Sequence, residues 1–214
     1  MNLILQTNQL NMKKYILLFV FAIVSVASHA QVQVALGLKA GPNFASIDTK
    51  ASAGQNYKSR TGFHAGAFAL FKITKFAIQP EILFSQQGSK ITFQGQDLEQ
   101  NYSYINIPIM LKLYLIGGLN LQAGPQIGFV SSAKEDRFNE ISGQIEKDVD
   151  VKGLIKGNDF SLGLGAGWDL PFGLTVDARY NLGLSKINDT PQSTEAKNQV
   201  FQVSLGYKFI KLGK

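Results

Sequence analysis

Cysteine is absent from the 214 residues, which excludes disulfide scaffolds, thiol nucleophiles and cysteine metal sites together. Charge is scarce as well: Asp, Glu, Lys and Arg make up 17% of the chain, against about 25% in ordinary soluble domains. Histidine is nearly missing, with His29 and His64 the only two. A His-rich metal site therefore lacks ligands, and any serine-hydrolase chemistry would have to run through His64. After residue 30 no apolar run approaches the ~18 residues that suggest a spanning helix. The formal charge of +6 is too mild to imply a nucleic-acid partner, and a mean hydropathy of +0.02 excludes a disordered polar chain. What is present in excess is glycine: all 21 glycines lie after residue 30, well above the ~7% of average usage.

The first thirty residues read as an export signal. Lys13 and Lys14 precede an apolar run from Tyr15 to Val26, and Ser28-His29-Ala30 sets small residues three and one before a cut ahead of Gln31. The run is too short to span a bilayer as a helix. Residues 1–30 are therefore expected to be removed, with Met12 a plausible alternative start, and residues 31–214 to form one domain. That domain would carry both Lys13 and Lys14 no longer, and its net charge would fall to +4.

The informative pattern in the remainder has period two. Val32, Val34, Leu36, Leu38, Ala40 and Phe44 alternate with Gln33, Ala35, Gly37, Lys39, Gly41 and Asn43. The same split recurs from Phe76 to Gln87, from Tyr104 to Leu113, from Leu119 to Phe129, from Phe160 to Trp168, from Leu174 to Leu184 and from Phe201 to Phe209. Gly62 to Phe71 fits less cleanly, because Phe68 and Leu70 share the parity of Gly62, His64 and Gly66. Counting it gives eight strands. The gaps between them, 46–61, 72–75, 89–101, 115–118, 131–157, 170–173 and 186–198, run long and short in strict alternation. A soluble sandwich has no reason for that alternation, whereas an up-and-down barrel crossing a membrane has tight turns on one side and longer loops on the other. The expected fold is an all-β, eight-stranded antiparallel up-and-down transmembrane β-barrel, with both termini on the short-turn, periplasmic side.

Composition decides which face points where. A soluble barrel would carry dense charge on its polar parity, but here that parity holds Gly, Ser, Asn and Gln. Small polar side chains suit the narrow lumen of an eight-stranded barrel, and rows of Ile, Leu, Val and Phe suit lipid. Closure pairs every backbone polar group, as the hydrocarbon core demands. Phe44, Phe63, Phe84, Phe129 and Phe160 toward the long-loop side, and Phe71, Phe76, Trp168, Tyr207 and Phe209 toward the short-turn side, form two interfacial girdles.

Several stretches resemble the PorT-like outer-membrane β-barrel proteins of Bacteroidota. They are Gly37-Leu38-Lys39-Ala40-Gly41-Pro42-Asn43-Phe44, Gly62-Phe63-His64-Ala65-Gly66, the run from Ile78 to Gly88, Tyr104-Ile105-Asn106-Ile107-Pro108, Gly124-Pro125-Gln126-Ile127-Gly128 and Leu205-Gly206-Tyr207-Lys208-Phe209. The resemblance implies fold and membrane, and says little about activity. The family's founding member is an accessory of a protein-secretion system, which makes such a role an alternative. One departure is that Ile210 to Lys214 extends beyond the terminal aromatic residue.

Five lumen-parity charges, Lys39, Glu81, Lys112, Asp177 and Arg179, are the candidate site. Opposite charges at similar heights are expected to pair as a structural lock, since buried charges are tolerated only when paired; a proton or ion path is the competing reading. No strand places both a serine and an acid beside His64, so a lipid-modifying enzyme is the less favoured alternative. Gly163-Leu164-Gly165-Ala166-Gly167 sits in a strand with no helix to follow, which excludes a dinucleotide loop. Asp148-Val149-Asp150 lacks the glycine and distal Glu of a calcium loop. The segment 131–157 mixes acids and bases and offers the largest external surface. The expectations are no cofactor and no catalytic or metal residues; outer-membrane lipids, lipopolysaccharide and an envelope protein as partners; and no nucleic acid.

Overall fold

The computed structural model describes residues 32–49, 56–93, 96–139, 144–185 and 196–213. The export-signal reading falls on residues 1–30, outside them. Among the described residues nine strands run in chain order: β1 (Val32–Thr49), β2 (Asn56–Ile73), β3 (Phe76–Phe93), β4 (Gln96–Tyr114), β5 (Leu119–Asn139), β6 (Gln144–Asp150), β7 (Asn158–Asp169), β8 (Leu174–Gly183) and β9 (Ala196–Leu212). Eight of them close a ring. Each of β1 to β5 pairs antiparallel with its neighbour in sequence, β5 pairs β7, β8 follows, and β9 returns to β1. The ninth, β6, pairs only with the far end of β5.

Alternation follows the sequence parity closely. In β5 the outward residues Leu119, Leu121, Ala123, Ile127 and Phe129 are exposed, while Asn120, Gln122, Gly124, Gln126 and Gly128 are buried. Rings of exposed aromatics bound this apolar band, and neighbours within a ring touch: Phe44 and Phe201 lie 6.3 Å apart, Phe63 and Phe84 5.8 Å. From Leu119 to Phe129 the band is one strand of about the 9–11 residues that cross a bilayer.

The structure revises the expected loops. β1 runs on to Thr49 and β2 starts at Asn56; β3 reaches Phe93 and β4 starts at Gln96; β5 reaches Asn139 and β6 folds back along it. Much of the segments expected as long loops is thus two-stranded ribbon rising beyond the aromatic ring, because Ser, Gln, Thr and Lys continue the extended backbone where apolar alternation stops. The segment 131–157 is docked as well as extended. Val151 is 2% exposed and packs with Tyr102, Tyr104, Val130 and Ala133 over the mouth of the ring. The short connections stay tight: Thr74 turns β2 into β3 with a positive φ of 56°, and Pro171–Gly173 forms a 3-10 turn between β7 and β8.

Phe68 and Leu70 point inward because the short-turn end of the lumen is stoppered by apolar side chains: Leu70 packs with Ala35, Ala77 and Tyr114. Phe68 fills the space that a side chain at Gly37 would need, its Cζ only 2.3 Å from where a Cβ would stand. The residues beyond the terminal aromatic continue β9, with Ile210, Lys211 and Leu212 paired to Leu36, Ala35 and Val34. The two ends of the described chain therefore lie side by side.

Candidate functional site

The centre of the lumen holds ions. Lys39 comes from β1, Glu81 from β3, Lys112 from β4, and Asp177 and Arg179 from β8; each is at most 4% exposed. Period two puts all five inward, and the barrel's narrowness brings opposite walls within reach of one side chain. Arg179 donates to both Glu81 oxygens, at 3.1 and 2.8 Å. Lys39 bridges the two acids, 3.5 Å from Glu81 and 3.1 Å from Asp177. Lys112 reaches Asp177 at 3.3 Å. The structure thus joins all five residues singled out from sequence into one chain of contacts across the lumen.

Sequence reasoning missed the neutral and peripheral members. Gln122 on β5 donates to Asp177 at 2.8 Å and accepts from Arg179 at 2.9 Å, and Gln79 donates to Glu81 at 2.8 Å. Toward the short turns Asp169 accepts from Tyr114 at 2.6 Å and from Lys208, and lies 4.0 Å from Lys112. Inward parity was the available signal for Gln79, Gln122 and Lys208; Asp169 ends β7, where parity is read least safely. Glycine makes the room. A Cβ at Gly167 would stand 2.3 Å from Asp177 Oδ1, and one at Gly206 would stand 2.5 Å from Thr175 Oγ1.

Toward the long-hairpin side lies a neutral network. His64 Nδ1 is 2.7 Å from Asn43 Oδ1, and its Nε2 is 2.8 Å from Ser204 Oγ. β9 supplies a serine across two strand boundaries, a juxtaposition no local pattern reveals, while the group on Nδ1 is an amide and not an acid. The order of atoms matches a serine–histidine–amide relay. Its surroundings do not suit catalysis, because Ser204 is 4% exposed inside the packed lumen, and Asn43 is held by Ser85, Gln202 and the Phe63 and Gln86 carbonyls.

The mouth is closed by Tyr102, which donates to Glu135. Burial first, and the neighbouring Glu135 carboxylate second, push the Tyr102 phenol well above its ordinary range, so it stays a donor at any physiological pH. Asp148-Val149-Asp150 lies on the exposed strand β6, where Asp136 accepts from the Asp148 amide at 3.1 Å. Gly163 to Gly167 lies within β7.

A closed ring with apolar residues outside and a salt-bridged interior defines a small outer-membrane β-barrel. Residues 29–189 match the model of the outer membrane protein beta-barrel domain family, and the chain belongs to that family. Among solved structures it is similar to the Neisserial surface protein A, with 12% identity over 81% of this chain and 97% of that one at a TM-score of 0.50, which supports the fold alone. Ail of Yersinia pestis (16% identity, 84% and 99% coverage, TM-score 0.45) and OprG of Pseudomonas aeruginosa (12%, 86% and 96%, 0.43) are more distant in shape. No curated protein sequence matches the chain. Membership places the protein in the outer membrane of a Gram-negative bacterium.

Proposed function

We propose that the protein is a non-enzymatic, non-conducting outer-membrane barrel that presents its extended hairpins outside the cell for surface interaction or envelope structure, with both termini in the periplasm. The observation that carries this reading is the ion chain from Arg179 through Glu81, Lys39 and Asp177 to Lys112, which spans the lumen from wall to wall. Its role is a structural lock: each charge contacts an opposite charge from a different strand, three bases sharing two acids, so that five side chains are tied together across the lumen. Presentation falls to β5, β6 and the segment to Gly157, where Lys134, Arg137, Glu146, Lys147, Asp148, Asp150 and Lys152 are exposed on a platform anchored by Val151. Lipopolysaccharide and an envelope protein are the partners such a mixed-charge surface suits.

Planar bilayer recording tests the central part of this reading. The refolded wild-type protein should give no discrete current steps at high salt. Reproducible, ion-selective steps from the wild type would overturn it. Within the family we read the chain as PorT-like on the stretches Gly37 to Phe44 and Ile78 to Gly88, and a secretion-accessory role would appear as co-purification of envelope machinery from native membranes.

A further inference from the structure

Three carboxylates of the lumen, Glu81, Asp177 and Asp169, each contact a lysine or arginine. A fourth does not. Asp159 shares the inward parity of Ser161 on β7, near the outer aromatic ring, and no cation among the described residues pairs with it. Its Oδ1 accepts from Ser185 Oγ at 2.5 Å and its Oδ2 from Asn198 Nδ2 at 3.3 Å; the same Nδ2 donates to the Tyr104 hydroxyl at 3.2 Å. These donors are neutral, so the charge itself stays uncompensated, which a buried carboxylate tolerates poorly.

The lumen around Asp159 is also short of donors. Asn198 Oδ1, Asn181 Oδ1 and Gln126 Oε1 are buried and accept from no protein group. Register gathers them on four neighbouring strands: across from β7, Gly128 and Gln126 of β5 oppose Asp159 and Ser161, and Gly183 and Asn181 of β8 oppose Ser161 and Gly163. Asn198 of β9 lies against Gly183, where a Cβ would stand 2.4 Å from its backbone oxygen. Two of the amide orientations follow from chemistry. Asn198 turns its NH2 to a carboxylate, which leaves its oxygen free. Asn43 Nδ2 donates to the Phe63 and Gln86 carbonyls, so Asn43 Oδ1 takes Gln202 Nε2 at 3.0 Å, Gln202 Oε1 takes Asn181 Nδ2 at 2.7 Å, and Asn181 Oδ1 is left over. Against these acceptors stands one buried unpartnered donor, Asn106 Nδ2, opposite Gly128.

Water bound to a cation turns its hydrogens outward, so a hydrated cation offers positive charge at its centre and only donors at its surface. Water alone would satisfy the amide oxygens and leave the charge of Asp159 unmet. We propose that the outer lumen holds one hydrated hard cation, calcium or sodium, at the Asp159 carboxylate, its waters donating to Asn198, Asn181 and Gln126. The lock deeper in the lumen, with three bases against two acids, repels the ion and keeps it at this level. Bound there, it joins β7, β9 and Ser185 at the rim. The inference goes beyond the presentation role and does not depend on it.

Terbium, which takes calcium's oxygen ligands and emits when excited through a nearby tyrosine, reads the site in protein refolded into phosphatidylcholine vesicles, with Tyr104 as the sensitiser. The wild type should give saturable emission that calcium displaces at roughly 0.1–1 mM, as expected of a site with few charged ligands; displacement by sodium at the same concentration would support the site and name the monovalent ion instead. Asp159→Asn, close to isosteric, should weaken terbium at least about tenfold. Asn198→Asp, which adds a second carboxylate, should tighten it by about tenfold and serves should Asp159→Asn not fold, with the heat-shifted gel band of a closed barrel as the check on folding. Asp148→Asn with Asp150→Asn on the outer hairpin should change nothing. Unchanged binding in both Asp159→Asn and Asn198→Asp would overturn the proposal. Emission lost in the hairpin variant would also overturn it, moving the ion to β6, and so would a wild type with no saturable emission at neutral pH, which would give Asp159 a proton in place of a cation. Failure of the non-conducting reading would show separately, as current steps from the wild type.

Discussion

Replacing Glu81 by alanine removes the acceptor for both Arg179 nitrogens at 3.1 and 2.8 Å, for Lys39 at 3.5 Å and for Gln79 at 2.8 Å. The Arg179 guanidinium, 3% exposed, is then left with Gln122 as its remaining acceptor, and the lumen gains an uncompensated positive charge. Breaking one partner of a buried pair typically costs about 3–5 kcal/mol. Ser85→Ala on the same strand is the comparison. It is not silent, since Ser85 Oγ accepts from Asn43 at 2.9 Å and Gln87 at 3.1 Å, but it strands neutral donors, at about 1–3 kcal/mol. Urea titration of the heat-shifted folded band in lipid vesicles should therefore show a larger loss for Glu81→Ala than for Ser85→Ala. Adding Arg179→Ala to Glu81→Ala should recover part of the loss, with a coupling of about 1–3 kcal/mol, as expected for directly bonded sites. Strictly additive losses would mean that the two side chains do not meet, and the account of the lumen would fail.

Three further outcomes follow from the same geometry. Gly167→Val should destabilise the barrel by at least about 1–3 kcal/mol through overpacking, because its Cβ would stand 2.3 Å from Asp177 Oδ1; the same urea titration measures it, and a wild-type midpoint would refute the packing. Val151→Asp should release the outer hairpin, so that protease cleavage within 144–157 accelerates while the heat shift of the barrel persists; unchanged cleavage would show that Val151 is not the anchor. Protease added to intact cells should cut within 131–157 and spare 115–118 and 170–173, and cleavage at Gly117 or Phe172 with the membrane sealed would invert the proposed topology.

The barrel was legible because period two and lipid exposure reinforce each other: Leu119, Leu121 and Ala123 could face outward only if the outside were apolar. The candidate ions were legible for the same reason, since charge on the inward parity of Lys39, Glu81 and Asp177 has nowhere to go but toward other charge. Legibility ended where periodicity did. Phe68 and Leu70 break the pattern because the lumen tapers to an apolar stopper, a fact about the opposite wall that β2 alone does not encode. The outer ribbons carry no strand signal in sequence because polar residues on both faces look the same in a solvated strand and a coil. Ser204 meets His64 only through the closure of β9 on β1, far apart in sequence, so no spacing could announce it.

The claim beneath all of this is that the apolar parity faces lipid, and the protein carries its own probe. Trp168 is the sole tryptophan, exposed at the outer face of β7 near the short turns, with its indole N–H donating to the Gly117 carbonyl at 2.9 Å. In refolded vesicles its emission should be blue-shifted and should be quenched by phospholipids brominated along their chains, most strongly by those brominated near the headgroup. Quenching by aqueous iodide with no response to brominated lipid would put Trp168 in water and contradict the account.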